Sequence, residues 1–170
     1  MTPKAILVTG ARAPVALHLA RLLQFLGHRV HLACSIPAPM AACSVACHAF
    51  HLLPPPRYDL DNDAQTLSRI VLEHAVDQII PTCEDVSYLG MIKHCIDADI
   101  WCPDADDLAR VHDKFAFIAV ACDLSLSTPD ATLITAKSGL SSLASCANDQ
   151  VFKLQWSRLA TDVLIKPTAK

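Results

Sequence analysis

The hydrophobic pattern along this chain switches repeatedly between two periods. Ala5 to Thr9 is a continuous apolar run ending at Gly10, which is how a strand buried on both faces reads. Pro14 follows, suited to the first turn of a helix because its missing N–H would be unpaired there anyway. Val15, Leu19, Leu22, Leu23 and Leu26 then recur at helical spacing until Gly27 stops the pattern. Arg29 to Cys34 predicts a second strand. Ala49 to Leu53 predicts a short third one, closed by Pro54, Pro55 and Pro56. Asp61, Asn62 and Asp63 supply capping chemistry for a helix whose stripe is Leu67, Ile70, Val71 and His74. Asp77 to Pro81 predicts a fourth strand. Glu84 and Asp85, acidic residues suited to a helix N-terminus, open a stripe of Val86, Leu89, Ile92 and Ile96. Ile100 to Cys102 predicts a fifth strand. Asp104 to Asp107 begin a helix with Leu108, Val111, Phe115, Ile118 and Cys122 on one face.

Strand and helix in alternation predict an α/β fold: an open, mostly parallel Rossmann-like sheet with right-handed crossovers and helices on both faces. The expected strand order is 3-2-1-4-5. The pattern changes after Asp123. Ser127 to Asp130 reads as a turn and 136–147 as a weak, Ser-rich helix. Val151 to Gln155 and Asp162 to Ile165 read as two strands around a turn. The organisation expected is one domain over residues 1–112 and the start of a second over 113–170.

Composition narrows the classes. Apolar residues make up 52% of the chain and mean hydropathy is +0.33, enough to fill a core. Net charge is −3 with both signs scattered, whereas a nucleic-acid surface needs clustered Lys and Arg. No apolar run approaches the length of a membrane span, and Met1 to Lys4 lead directly into the first strand without a signal peptide. These readings predict a cytoplasmic protein with neither nucleic acid nor membrane as partner. The eight cysteines include no C-x-x-C pair, so they read as reduced, small hydrophobic residues. Cys43, Cys47, His48 and His51 form the one cluster with ligand chemistry, and its spacing fits no standard zinc site. The eight histidines look dispersed, and no zinc or disulfide is expected.

The candidate site residues fall at the ends of predicted strands and in two lysine-bearing phrases. The loop of Gly10 and Arg12 follows the first strand, where open α/β sheets place ligands. Its backbone N–H groups and Arg12 suit an anion. A dinucleotide site would want G-x-G-x-x-G, and Gly10 stands alone, which disfavours a dehydrogenase. Glu84 ends the fourth strand, beside the first across the expected switch point, and is placed to share a crevice with Arg12. Its ordinary role would be to complement a helix dipole. Lys114 lies beside the apolar stripe of its helix, and Lys153 stands between Phe152 and Leu154. A phosphate between them would explain both. Arg158, after Trp156 and Ser157, suits an anion or a stack on Trp156. His112 and Asp113 are helix neighbours that point apart, so no catalytic role is assigned to them.

Several phrases resemble the ATP-grasp superfamily of carboxylate–amine ligases, in family order. Ile6 to Arg12 resembles the first strand and loop of its pre-ATP-grasp domain, and Ile79 to Asp85 the fourth-strand phrase. Val111 to Lys114 resembles the segment giving the first ATP-contacting lysine, and Thr128 to Thr132 the "P-x-T" that follows it. Val151 to Lys153 resembles the strand of the second such lysine, with Trp156 to Arg158 extending the match. The resemblance implies a pre-ATP-grasp domain followed by a partial ATP-grasp subdomain. It implies ATP-dependent joining of a small-molecule carboxylate to an amine, or a thiol, through an acyl-phosphate. ATP and Mg²⁺ would serve the full-length parent, with Lys114, Lys153 and Arg158 toward the nucleotide. Gly10, Arg12 and Glu84 would face the substrate, and the resemblance also admits a homodimer. The glycine-rich lid, the adenine hinge and the acidic Mg²⁺ ligands of that family have no counterpart here, so the 170 residues are expected to be a fragment inactive by itself. The rival reading is a stand-alone Rossmann-like binding or interaction module without catalysis.

Overall fold

The computed structural model describes residues 2–128 and, beyond them, the strands at 132–134, 152–156 and 163–167. The chain divides into two compact units, Met1–Ala105 and Asp106–Lys170.

In the first unit, β1 (Ala5–Thr9), β2 (Arg29–Cys34), β3 (Ala49–Leu52), β4 (Gln78–Ile80) and β5 (Asp99–Ile100) form one sheet. Its order is β3-β2-β1-β4-β5, and every neighbouring pair is parallel. Fold class and strand order are those expected. The physical basis lies in β1, which is central and buried at all five residues. Ile6 and Val8 pack with Val30, Leu32 and Cys34 in one core. Helix α1 (Pro14–Phe25) closes that core with Ala16, Leu17, Ala20 and Leu23. Leu7 faces the other way, with Ala33 and Ile79. Helices α2 (Leu60–His74) and α3 (Asp85–Ile92) cover it with Leu67, Ile70, Val71, Leu89 and Ile92. At roughly 1.5–3 kcal/mol for each aliphatic side chain taken fully out of water, these two layers are the main stabilising force.

Helix ends follow local chemistry. Pro14 occupies the first turn of α1. At its other end Gly27 adopts φ +87°, and the His28 N–H reaches back to the Leu23 carbonyl at 3.0 Å, a Schellman closure. The cap of α2 differs from expectation. Asp59 accepts from the Asn62 N–H at 3.1 Å, while Asp61 and Asp63 lie inside the first turn. Helix α3 stops at Ile92 and a 3₁₀ turn over Lys93–Cys95 completes the stripe to Ile96. The fifth strand comes one residue early, yet the Trp101 N–H still bonds the Ile79 carbonyl at 2.9 Å.

The helix expected from Asp104 through Cys122 is two helices, α4 (Ala105–His112) and α5 (Lys114–Asp123). Asp113 breaks them apart. Its backbone is extended, and its carboxylate accepts from the Ala116 N–H at 2.8 Å. A short acidic side chain competes for backbone N–H groups and so favours a cap over a helix interior. The apolar stripe was continuous in period but carried no warning of this break. Beyond it, β6 (Thr132–Ile134), β7 (Phe152–Trp156) and β8 (Val163–Pro167) form an antiparallel sheet of order β6-β8-β7. The expected two-strand ribbon therefore gains a third member. The helix expected at 136–147 lies outside the described residues. No described helix is long and apolar enough to cross a membrane.

Gly10 has φ +73°, and a Cβ there would meet the Thr82 hydroxyl and lie 2.7 Å from the Thr82 carbonyl oxygen. Gly10→Ala is expected to destabilise the first unit by about 2–4 kcal/mol, adding left-handed backbone strain to overpacking. Urea titration of the purified variant checks this, and an unchanged midpoint would show that the loop relaxes freely.

Candidate ligand site at the strand ends

The chain leaves β1 toward α1 and β2 on one side of the sheet, and leaves β4 toward α3 and β5 on the other. The loops after β1 and β4 therefore diverge from adjacent strands, forming a switch point at the carboxyl end of the sheet. The Thr82 hydroxyl crosses the gap, donating to the Thr9 carbonyl at 2.8 Å. With no side chain at Gly10, the two loops touch. Each loop then presents one charged residue. The Arg12 guanidinium donates to Glu84 Oε2 at 2.7 Å and lies 3.6 Å from Asp85 Oδ1. The structure brings Arg12 and Glu84 together, with Gly10 beneath them.

Exposure separates the roles of the two acids. The Glu84 side chain is 71% exposed and that of Asp85 only 13%. The exposed pair contributes at most about 1 kcal/mol to stability, so its placement matters more than its strength. Asp85 stands at the start of α3, where a carboxylate suits the helix dipole. Burial raises its pKa, and Arg12 works against that rise. Cys83, between the two loops' contact and Glu84, takes φ +56° without being glycine. Such a residue is strained, and the strain sits at the point that aims Glu84.

Asp63 belongs to the same neighbourhood, although its sequence position suggests only capping chemistry. It is 1% exposed, its Oδ1 has no hydrogen-bond partner, and burial followed by the Asp85 charge pushes its pKa up to about 7. A signal was present: Asp63 stands four residues before Leu67 and seven before Ile70, on the buried stripe of α2.

Lys114 is the first residue of α5, half-buried, with Asp113 as the cap beside it. Lys153 lies in β7, paired in register with Lys166 of β8. Arg158 lies outside the described residues. Of the cluster of Cys43, Cys47, His48 and His51, the two histidines join rings from elsewhere: His31 lies 5.2 Å from His48 and 5.4 Å from His51. His74, placed on the apolar stripe of α2, joins them. The impression of dispersed histidines is thus corrected by the parallel register, which sets β3 beside β2 and α2 over both. The described cysteines are free thiols.

No family model and no curated protein matches the sequence. Solved structures do match the fold. An L-amino acid ligase from Bacillus licheniformis superposes with a TM-score of 0.73 at 12% identity, over 98% of this chain and 44% of its own. The biotin carboxylase domain of a Hydrogenobacter thermophilus 2-oxoglutarate carboxylase, crystallised with MgADP, ADP and bicarbonate, gives 0.67 at 15%, over 98% and 44%. An ADP complex of N5-carboxyaminoimidazole ribonucleotide synthetase gives 0.66 at 12%, over 98% and 47%. This is the fold of the N-terminal part of ATP-grasp ligases. The chain spans less than half the length of each of these three ATP-grasp structures. At such identities the likeness is one of architecture, and a shared fold does not by itself carry a shared chemistry.

The Asp63 carboxyl supplies a pH test of this neighbourhood. Its folded pKa of about 7 lies above the ordinary 3.8, so the folded chain holds a proton there that the unfolded chain releases. Its contribution is most favourable below pH 4 and is lost as pH rises to about 7. Asp63→Asn, which keeps the shape without the ionisation, is expected to be the more stable protein at pH 8, by on the order of 1–3 kcal/mol. Urea midpoints from pH 4 to 8 measure it. An equal loss at both ends would mean that the native carboxyl is ionised throughout.

Proposed function

We propose that this chain is the N-terminal portion of an ATP-dependent ligase that joins a small-molecule carboxylate to an amine, or a thiol, in the cytoplasm. The observation that supports it most directly is the extent of the fold match, which covers nearly the whole chain and so includes both the parallel sheet and the segment after it. Two neighbours in that match were solved with ADP. In this reading Lys114, Lys153 and Arg158 face the nucleotide phosphates. A lysine in the first turn of α5 opposes the helix dipole, and an anionic phosphate would offset both positive ends at once. Lysine suits that task as a compact point charge.

Arg12 and Glu84 would grip the substrate over Gly10. Their mutual ion pair is exposed and weak enough to open, leaving Arg12 for a carboxylate or phosphate and Glu84 for an amine. Bound ATP would supply the phosphoryl group that activates the carboxylate, and these residues would bind and orient the partners. Among the described residues no group of three or more His, Cys, Asp or Glu is arranged to hold a metal ion, so no Mg²⁺ ligand is assigned to them. The 170 residues alone are expected to show no turnover, because phosphoryl transfer needs the phosphates met from several sides.

In a protein carrying the complete ATP-grasp domain, Lys114→Ala and Lys153→Ala should each weaken ATP binding while folding persists. Loss of one charge-assisted hydrogen bond corresponds to about 1.5–3 kcal/mol, or roughly ten- to a hundred-fold in Kd. Titration calorimetry with ATP reads the effect. Unchanged affinity in both variants would leave the stand-alone binding module as the better account.

A further inference from the structure

Four histidines, from β2, β3, the last turn of α2 and the loop before β3, meet at the C-terminal end of α2. His31, on β2, is 1% exposed. Its ring centroid lies 5.2 Å from that of His48, 5.4 Å from His51 and 5.0 Å from His74, and His51 and His74 are 4.6 Å apart. His31 Nδ1 and His51 Nε2 are 3.1 Å apart, and the two ring planes differ by 12°. Centroids 5.4 Å apart whose nearest nitrogens are 3.1 Å apart leave room for little more than the two ring radii. The rings therefore lie end to end in nearly one plane. One imidazole donates along that line and the other accepts, so the pair shares a single proton. A metal ion would need both lone pairs to converge on a third point, which this line does not provide. The remaining His31 nitrogen, Nε2, is buried without a partner.

We propose that this cluster is an acid-operated latch: neutral, it holds edge strand β3 and the last turn of α2 against β2, and one further proton, which turns a ring of the His31–His51 pair into a buried imidazolium, drives these elements apart. β3 has four residues and a strand on one side only, and α2 ends at Ala75 in the left-handed region without glycine. The charges around the rings are few. Arg29 on β2 donates to the His74 carbonyl at 3.0 Å, and Glu73 on α2 faces His51. Burial first, then His51, His74, His48 and Arg29, holds the pKa of His31 down to about 4. Burial and His74 lower that of His51, with Glu73 opposing. An unfolded histidine takes its proton near pH 6.5, so the released chain binds protons that the folded cluster refuses. Stability is complete above pH 6.5 and falls as pH drops toward 4. Asp63 has the opposite slope across the same range, so the latch is read as a difference between the native chain and a variant.

The test compares the purified chain with His31→Leu by urea denaturation at pH 7.5 and 4.5. Between those values the unfolding constant of the native chain is expected to rise roughly 50- to 100-fold more than that of the variant. Parallel profiles would overturn the latch. If His31→Leu does not fold, ¹⁵N spectra of the native imidazoles decide: the latch requires His31 to stay neutral at pH 5.5 while the sheet persists, and a charged His31 in an intact fold refutes it. Hydrogen exchange, corrected for intrinsic rates, should show β3 and the last turn of α2 losing protection on acidification before β1, and uniform loss counts against it. Stoichiometric Zn²⁺ binding at pH 7.5 that disappears in His31→Leu would also overturn it, making the cluster a metal site.

Discussion

The contact between Gly10 and Thr82 is the constraint on which the rest of the first unit depends. β1 and β4 run side by side, and the chain turns away from them in opposite directions. Where they part, the two departing loops pass each other at van der Waals distance. Gly10 permits it by having no Cβ and a positive φ, and the Thr82 hydroxyl secures it by bonding the Thr9 carbonyl. Arg12 and Glu84 lie two residues beyond these contact points, so their meeting across the switch point is a consequence of the packing rather than of any strong attraction between them.

Charge in this unit is distributed according to depth. At the surface, Arg12 and Glu84 form a pair that water and salt weaken. One layer down, Asp85 has burial and Arg12 in opposition. Below that, Asp63 is buried and its pKa is pushed up to about 7. On the same side of the sheet the histidine cluster shows the inverse behaviour, with burial expelling protons from basic groups. Desolvation is the shared cause. It disfavours whichever form is charged, so acids and bases in one apolar layer move in opposite directions.

The second unit is built on different physics. Its three strands are antiparallel, and α5 owes its separate existence to the Asp113 cap. The capping hydrogen bond sets where α5 begins and hence puts Lys114 in its first turn. The loop carrying Arg12 and Glu84 belongs to the parallel sheet, while Lys114 and Lys153 belong to the second unit. The proposed nucleotide and substrate contacts thus come from elements whose folding rests on separate interactions.

The chain's own pattern determined the order and type of the elements. A continuous apolar run for β1, shorter strand-like runs alternating with helical stripes, and stops at Gly27 and at the prolines after β3 were enough for a mostly parallel sheet of the observed order, because right-handed crossovers leave few alternatives. The residues at the ends of β1 and β4 were legible for the same reason, since the switch point follows from strand order. Tertiary structure decided what depends on lateral neighbours. Asp63 looked like a cap until α2 packed its first turn inward. Asp113 looked like one more helical residue until its side chain found the Ala116 N–H. His31, His48, His51 and His74 are dispersed in sequence, and only the β2–β3 register and the lie of α2 bring their rings within 5.4 Å of His31. Periodicity along one element reports which face is buried. It does not report which residue of another element arrives opposite, and that is set by register and packing across the sheet.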